Sequence, residues 1–112
     1  MNATVRTNRG IQIVDVVGHI DLGTSPVLRK TMLDNLKIAE RLAANLAQVG
    51  YIDSSGIASL LEVLKESKKT SKRFMLFGLT VGVREVLQLT RLTGVFEIYE
   101  SEEEVLNAGA QG

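Results

Sequence analysis

The stretch "RLAANLAQVGYI", residues 41–52, restricts the fold more than any other in the chain. It is apolar or small almost throughout, whereas a strand with one face in water alternates apolar and polar residues. The run therefore reads as a strand covered on both faces, which places it in the middle of a sheet with helices packed over it. The segments before it fit such a sheet. Residues 3–8 alternate weakly, "NRG" at 8–10 supplies a turn, and "IQIVDVVG" reads as a β-branched strand, so the chain begins with a hairpin whose second strand is the fuller one.

"HIDLGTSPVLRKTMLDNL" follows as a loop and a helix start. Ser25 can cap the free amides, and Pro26 fits the first helical position, where its missing N–H costs nothing. Leu28, Met32 and Leu36 then share one face. Beyond residue 52, Ile57, Leu60, Leu61 and Leu64 recur at i, i+3, i+4 and i+7, predicting a helix to about Lys68. "FMLFGL" is another buried strand, and "VGVREVLQLTRL" sets Val83, Val86, Leu87 and Thr90 on a helical face that Gly94 should stop. "VFEIY" is a short strand, and Ser101 with Glu104 forms a capping box opening a last short helix. The tail "NAGAQG" looks loose. Together these segments predict an α/β fold: a mixed β-sheet of four to five strands, linked after the hairpin by right-handed crossovers and covered by about four α-helices. Function is expected in the loops that follow the strands.

The length of 112 residues and a hydrophobic content of 45% suit one domain with a real core, residues 1–112 with the core at about 4–108. Lys and Arg total 13, as do Asp and Glu, so no net field draws nucleic acid or an anionic membrane toward the chain, and no nucleic-acid partner is expected. Without cysteine, and with His19 as the one histidine, thiolate and imidazole metal sites are not expected, nor is any cofactor. No apolar run approaches the roughly 20 residues that span a bilayer, and the start lacks a secretory pattern, so a soluble, cytoplasmic protein without membrane insertion is expected. The lysines of "LKESKKTSKR" lack interleaved aromatics and read as a solvated helix end rather than an anion site.

The chemistry concentrates in "YIDSSGIASLLEVL", residues 51–64. A turn from strand into helix needs one polar side chain to satisfy unpaired amides. Asp53, Ser54, Ser55 and Gly56 exceed that need, and Gly56 would let another molecule come close to the backbone beside Ser54. A phosphate on Ser54 would sit at a helix N-terminus and add about −1.5 to −2 charge. A partner surface could not bury that charge unpaired, so binding would be lost while the fold survived. Catalysis by either serine would need a positioned base. His19 is the one histidine available, and neither G-x-S-x-G nor S-x-x-K is present, so an enzyme is not expected. Gly18, Gly23, Gly56, Gly78 and Gly82 lie near strand ends without forming a phosphate-binding motif. Ala58 and Ser59, beside the apolar stripe, are candidates for contact.

With the D-S-S-G turn and the I-x-x-L-L-x-x-L helix in place, the sequence resembles the STAS family, in particular its stand-alone anti-sigma factor antagonists, over residues 5–108. Gly18-x-x-Asp21, Asn45, Gly78, Val83, Leu87 and Thr93-Gly94-Val95-Phe96 extend the likeness. The resemblance implies that Ser54 is phosphorylated by an anti-sigma factor serine kinase. It implies that the unmodified protein binds this kinase and releases a sigma factor, and that a PP2C-type phosphatase restores binding. Asp21, Gly23, Thr24, Asp53, Ser55, Gly56 and Ser59 are the expected partner-binding residues. His19 departs from the family, whose antagonists often carry an acidic residue there. STAS modules also serve as accessory subunits of membrane transporters and in stress-signalling assemblies, which is the alternative role.

Overall fold

A computed structural model describes residues 1–110. Two antiparallel strands open the chain, β1 (Asn2–Asn8) and β2 (Ile11–Val17). They are joined by Arg9 and Gly10, both with positive φ (51° and 79°), the conformation that lets a two-residue turn follow the strand twist. Both strands have seven residues, so the second is fuller only in burial: Ile11, Ile13, Val14 and Val16 are buried, whereas β1 is an edge strand with no buried residue.

Helix α1 (Ser25–Ile38) leads to β3 (Arg41–Gln48), α2 (Ser54–Lys69) to β4 (Arg73–Phe77), α3 (Val81–Leu89) to β5 (Glu97–Tyr99), and α4 (Glu102–Ala110) ends the described chain. The sheet order is β1-β2-β3-β4-β5, with β2 through β5 parallel. The mixed five-stranded sheet with four helices is the architecture the periodicity predicts, and β3 is central as its composition requires. Of the tail, residues 107–110 are helical rather than loose; Gln111 and Gly112 lie outside the described residues.

Side-chain alternation on β3 separates two cores. Leu42, Ala44 and Leu46 face α1, α2 and α3, joining Leu28, Met32, Leu36, Leu60, Val63, Val83 and Leu87. Ala43 faces the other way, with Ile11, Ile13, Met75, Phe77 and Val105 of α4. Three helix ends differ from expectation. Ser25 lies inside α1 and is buried, and the start of that helix is instead fastened by Asp21, whose Oδ1 accepts from the amides of Gly23 (3.0 Å) and Thr24 (3.1 Å). Gly94 does not stop α3. Arg91 takes the left-handed conformation (φ 60°), and the Leu92 amide reaches back to Leu87 O at 2.8 Å, closing the helix three residues earlier. At α4, Ser101 Oγ accepts from the Glu104 amide (3.3 Å), but the Glu104 carboxylate takes the amide of Glu100 (2.8 Å), one residue short of a reciprocal box.

Candidate functional site

Because β2, β3 and β4 are parallel, the segments after them meet at one end of the sheet. The first two are stitched together: Gly18 N donates to Gln48 O (3.0 Å), Ile20 N to Tyr51 O (3.0 Å) and Asp53 N to Ile20 O (3.1 Å). The third joins through Thr80 Oγ1, which donates to Val49 O at 2.7 Å. The D-S-S-G turn is therefore held from both sides, and the Asp21 loop lies beside it.

Within the turn, Asp53 is the N-cap of α2. Its Oδ1 accepts from the Ser55 amide (3.0 Å), the Gly56 amide (3.0 Å) and Ser55 Oγ (2.6 Å). The Ser55 hydroxyl, then the Gly56, Ser55 and Leu22 amides, hold the Asp53 carboxyl below the usual carboxylate range. The two serines are thereby separated. The Ser55 hydroxyl is committed to Asp53 and half-buried, whereas Ser54, the first residue of the helix, is exposed. Its neighbour across the stitch, Asp21, is half-buried and spends Oδ1 on Gly23 N, Thr24 N and Thr24 Oγ1 (3.1 Å), so its local work is to shape the start of α1.

Gly56 and Ser59 correct the sequence reading. Gly56 is buried, and a Cβ there would stand 2.5 Å from Ile52 Cγ1 and 2.7 Å from Ile20 Cγ2. The glycine thus admits the protein's own core rather than a visiting molecule. Ser59 is 4% exposed and its Oγ lies 3.4 Å from Ser25 O, because its small side chain sits where α1 packs on α2. It is not a surface contact; Ala58 alone of that pair is exposed. Asp21, Gly23, Thr24, Asp53, Ser54 and Ser55 do gather at this end.

The STAS domain family profile matches residues 2–105. The chain belongs to the STAS domain family. Among its relatives, an anti-sigma-B factor antagonist of Listeria monocytogenes is 28% identical over 91 residues, covering 80% of each chain. A candidate anti-sigma factor antagonist from Thermotoga maritima has a structure that superposes with a TM-score of 0.88 at 20% identity, covering 95% of this chain and 92% of that one. SpoIIAA of Bacillus, an anti-sigma factor antagonist with structures in unphosphorylated and phosphorylated forms, gives 0.81 for the former at 18% identity, covering 99% and 98%. At these identities the structural matches establish the STAS fold.

On this STAS domain the sequence reading missed an apolar rim. Leu22, in the loop after β2, is 77% exposed, and Val81, the first residue of α3, is 75% exposed. Tyr51, half in solvent, carries the His19 ring edge-on at 5.9 Å between centroids. The signal was present: a leucine between Asp21 and Gly23, and a tyrosine at the end of an otherwise covered strand run, lack the polarity ordinary in loops. His19 packs on Tyr51, and of the two serines the half-buried hydroxyl of Ser55 is bonded to Asp53.

Proposed function

We propose that this STAS domain is an anti-sigma factor antagonist acting in the cytoplasm by partner switching. The unmodified form binds an anti-sigma factor serine kinase through the apolar rim and the D-S-S-G turn, and a sigma factor is released. The kinase phosphorylates Ser54; the dianion cannot be buried against the kinase unpaired, and the complex parts. A PP2C-type phosphatase reverses the modification. ATP and magnesium belong to the kinase, and the chain itself performs no catalysis.

One observation carries this reading: of the two adjacent hydroxyls, Asp53 ties up that of Ser55 at 2.6 Å and leaves exposed Ser54 as the acceptor. Phosphate there gains little from the helix amides, since the Ser55 and Gly56 amides already donate to Asp53. The added charge therefore faces outward, where a partner would meet it. The names of the sequence relatives support the same role.

The test is incubation with the cognate anti-sigma factor kinase and ATP, followed by intact-mass and peptide analysis. A single phosphoryl group on Ser54 is expected, abolished by Ser54→Ala and retained in Ser55→Ala. Phosphorylation at Ser55, or no uptake combined with stable co-purification with a membrane transporter, overturns the proposal.

A further inference from the structure

The parallel strands sort charge between the two ends of the molecule. The end that carries Ser54 also holds Asp21 and Asp53, and the arginines in the first halves of α1 and α3, Arg29 and Arg84, stand 3.5 Å from Glu62 and 3.2 Å from Glu100. Helices that link parallel strands return to the opposite end, so α1, α2 and α3 all finish there. That end collects Lys68, Lys69, Lys72 and Arg91 beside exposed Glu40, and among the described residues none of the four cations has a carboxylate within 4.0 Å. Lys72 instead donates to Leu36 O at the end of α1.

Compensation of helix dipoles accounts for lysines near helix ends. It does not account for Ile38, 75% exposed as the last residue of α1, or Leu89, 84% exposed as the last of α3. Two clefts, of about 620 and 320 Å³, share Lys72 as a wall; the first runs along α1 from Arg29 and takes in Asp34 and Glu66, and the second has Lys68 and Glu97. The first has Leu33 and Leu36 in its lining and the second Leu64, Phe74 and Val95.

We infer that this end is a peripheral docking surface for an anionic lipid bilayer. Cations without a carboxylate within 4.0 Å meet headgroup phosphates, while Ile38 and Leu89 enter the headgroup–acyl boundary. A nucleic acid would satisfy the cations but has no use for two exposed aliphatic side chains. No helix among the described residues is long and apolar enough to cross a membrane, so the contact is superficial. Docked this way, the chain turns Ser54 away from the bilayer. The inference stands independently of the proposed function.

The test is co-sedimentation with vesicles of phosphatidylcholine alone and of phosphatidylcholine mixed with phosphatidylglycerol, at low and physiological salt. Binding several-fold greater to the anionic vesicles is expected, weakening with salt. It should fall several-fold in Lys68→Glu/Lys69→Glu and in Ile38→Ser/Leu89→Ser, both of which change exposed residues and should melt like the parent. Ser54→Asp should bind as the parent does. Equal binding to neutral vesicles, binding retained in the lysine variant, or binding lost in Ser54→Asp each overturns the inference, as does a duplex DNA shift without vesicle binding.

Discussion

Asp53 sets the difference between the two serines that follow it. One carboxylate oxygen caps two amides and holds the Ser55 hydroxyl, so Ser55 is part of the turn and Ser54 is outside it. Ser54→Asp adds a charge that the helix dipole favours and Asp53 opposes, so stability should change by less than about 0.5 kcal/mol while binding to the proposed kinase partner weakens. A thermal melt beside a pull-down separates the two effects, and a large stability loss would contradict an outward-facing site. Gly56→Ala should behave in the opposite manner. Its Cβ would overlap Ile52 and Ile20, and displacing both costs about 1–3 kcal/mol, read as a lowered denaturation midpoint. Residue types in the D-S-S-G turn marked out the two serines, and the resemblance to the STAS family, rather than the pattern alone, pointed to Ser54. Residue types could not assign Gly56 and Ser59, because a small residue can admit a partner or the chain's own core, and that depends on where Ile20 and α1 arrive.

Elements were legible where a repeating pattern made them so. The nearly unbroken apolar run of residues 41–52 located the central strand; the stripe on α1 buries Leu28, Met32 and Leu36, and that on α2 buries Ile57, Leu60 and Leu64 but leaves Leu61 half-buried. Helix ends were harder, because closure depends on one backbone conformation. Ser71 (φ 59°) and Arg91 (φ 60°) close α2 and α3 in the left-handed region that sequence rules reserve for glycine. The start of α3 shows how tightly the elements around the site are fixed. A Cβ on Gly82 would stand 2.6 Å from Gly50 O, a backbone atom in the loop that leads to Tyr51. Gly82→Ala would gain up to about 1 kcal/mol of helix propensity, yet it must push α3 off that loop. The expected outcome is net destabilisation of about 1–3 kcal/mol together with weaker binding to the proposed kinase partner, measured by denaturant melts and titration. A stabilised variant would mean the loop yields freely.

For the molecule as a whole, equal numbers of acidic and basic residues suggested no field, yet folding places them unevenly, because alternation of parallel strands and returning helices sends lysine-rich helix ends to one pole. Net charge was readable from the sequence; its distribution depended on the topology. Folding also brings Arg6 of β1 to Asp15 of β2 and Glu102 of α4, with contacts of 2.6 Å to each. The Arg6 hydrogen bonds hold the carboxyls of both Asp15 and Glu102 below their ordinary values, Asn45 adding to the first and Asn8 to the second. At the far edge, burial pushes the Glu97 carboxyl up, but hydrogen bonds from Arg73 and Tyr99 outweigh it and leave it lowered. A carboxyl whose folded pKa is depressed gives up its proton more readily in the folded state. It therefore contributes stability above the unfolded value, near 4, and that contribution is lost as the pH falls through the folded value. Arg6→Gln removes the largest cause of the depression at two of the three groups. The variant should thus melt lower than the parent at neutral pH, and the gap should close as both are acidified from about pH 5 toward 3, since protonated Asp15 and Glu102 have nothing left to lose. Melting temperatures of the pair across that range decide it, and a gap that persists unchanged at low pH would mean Arg6 acts through packing of its aliphatic stem rather than through its charge.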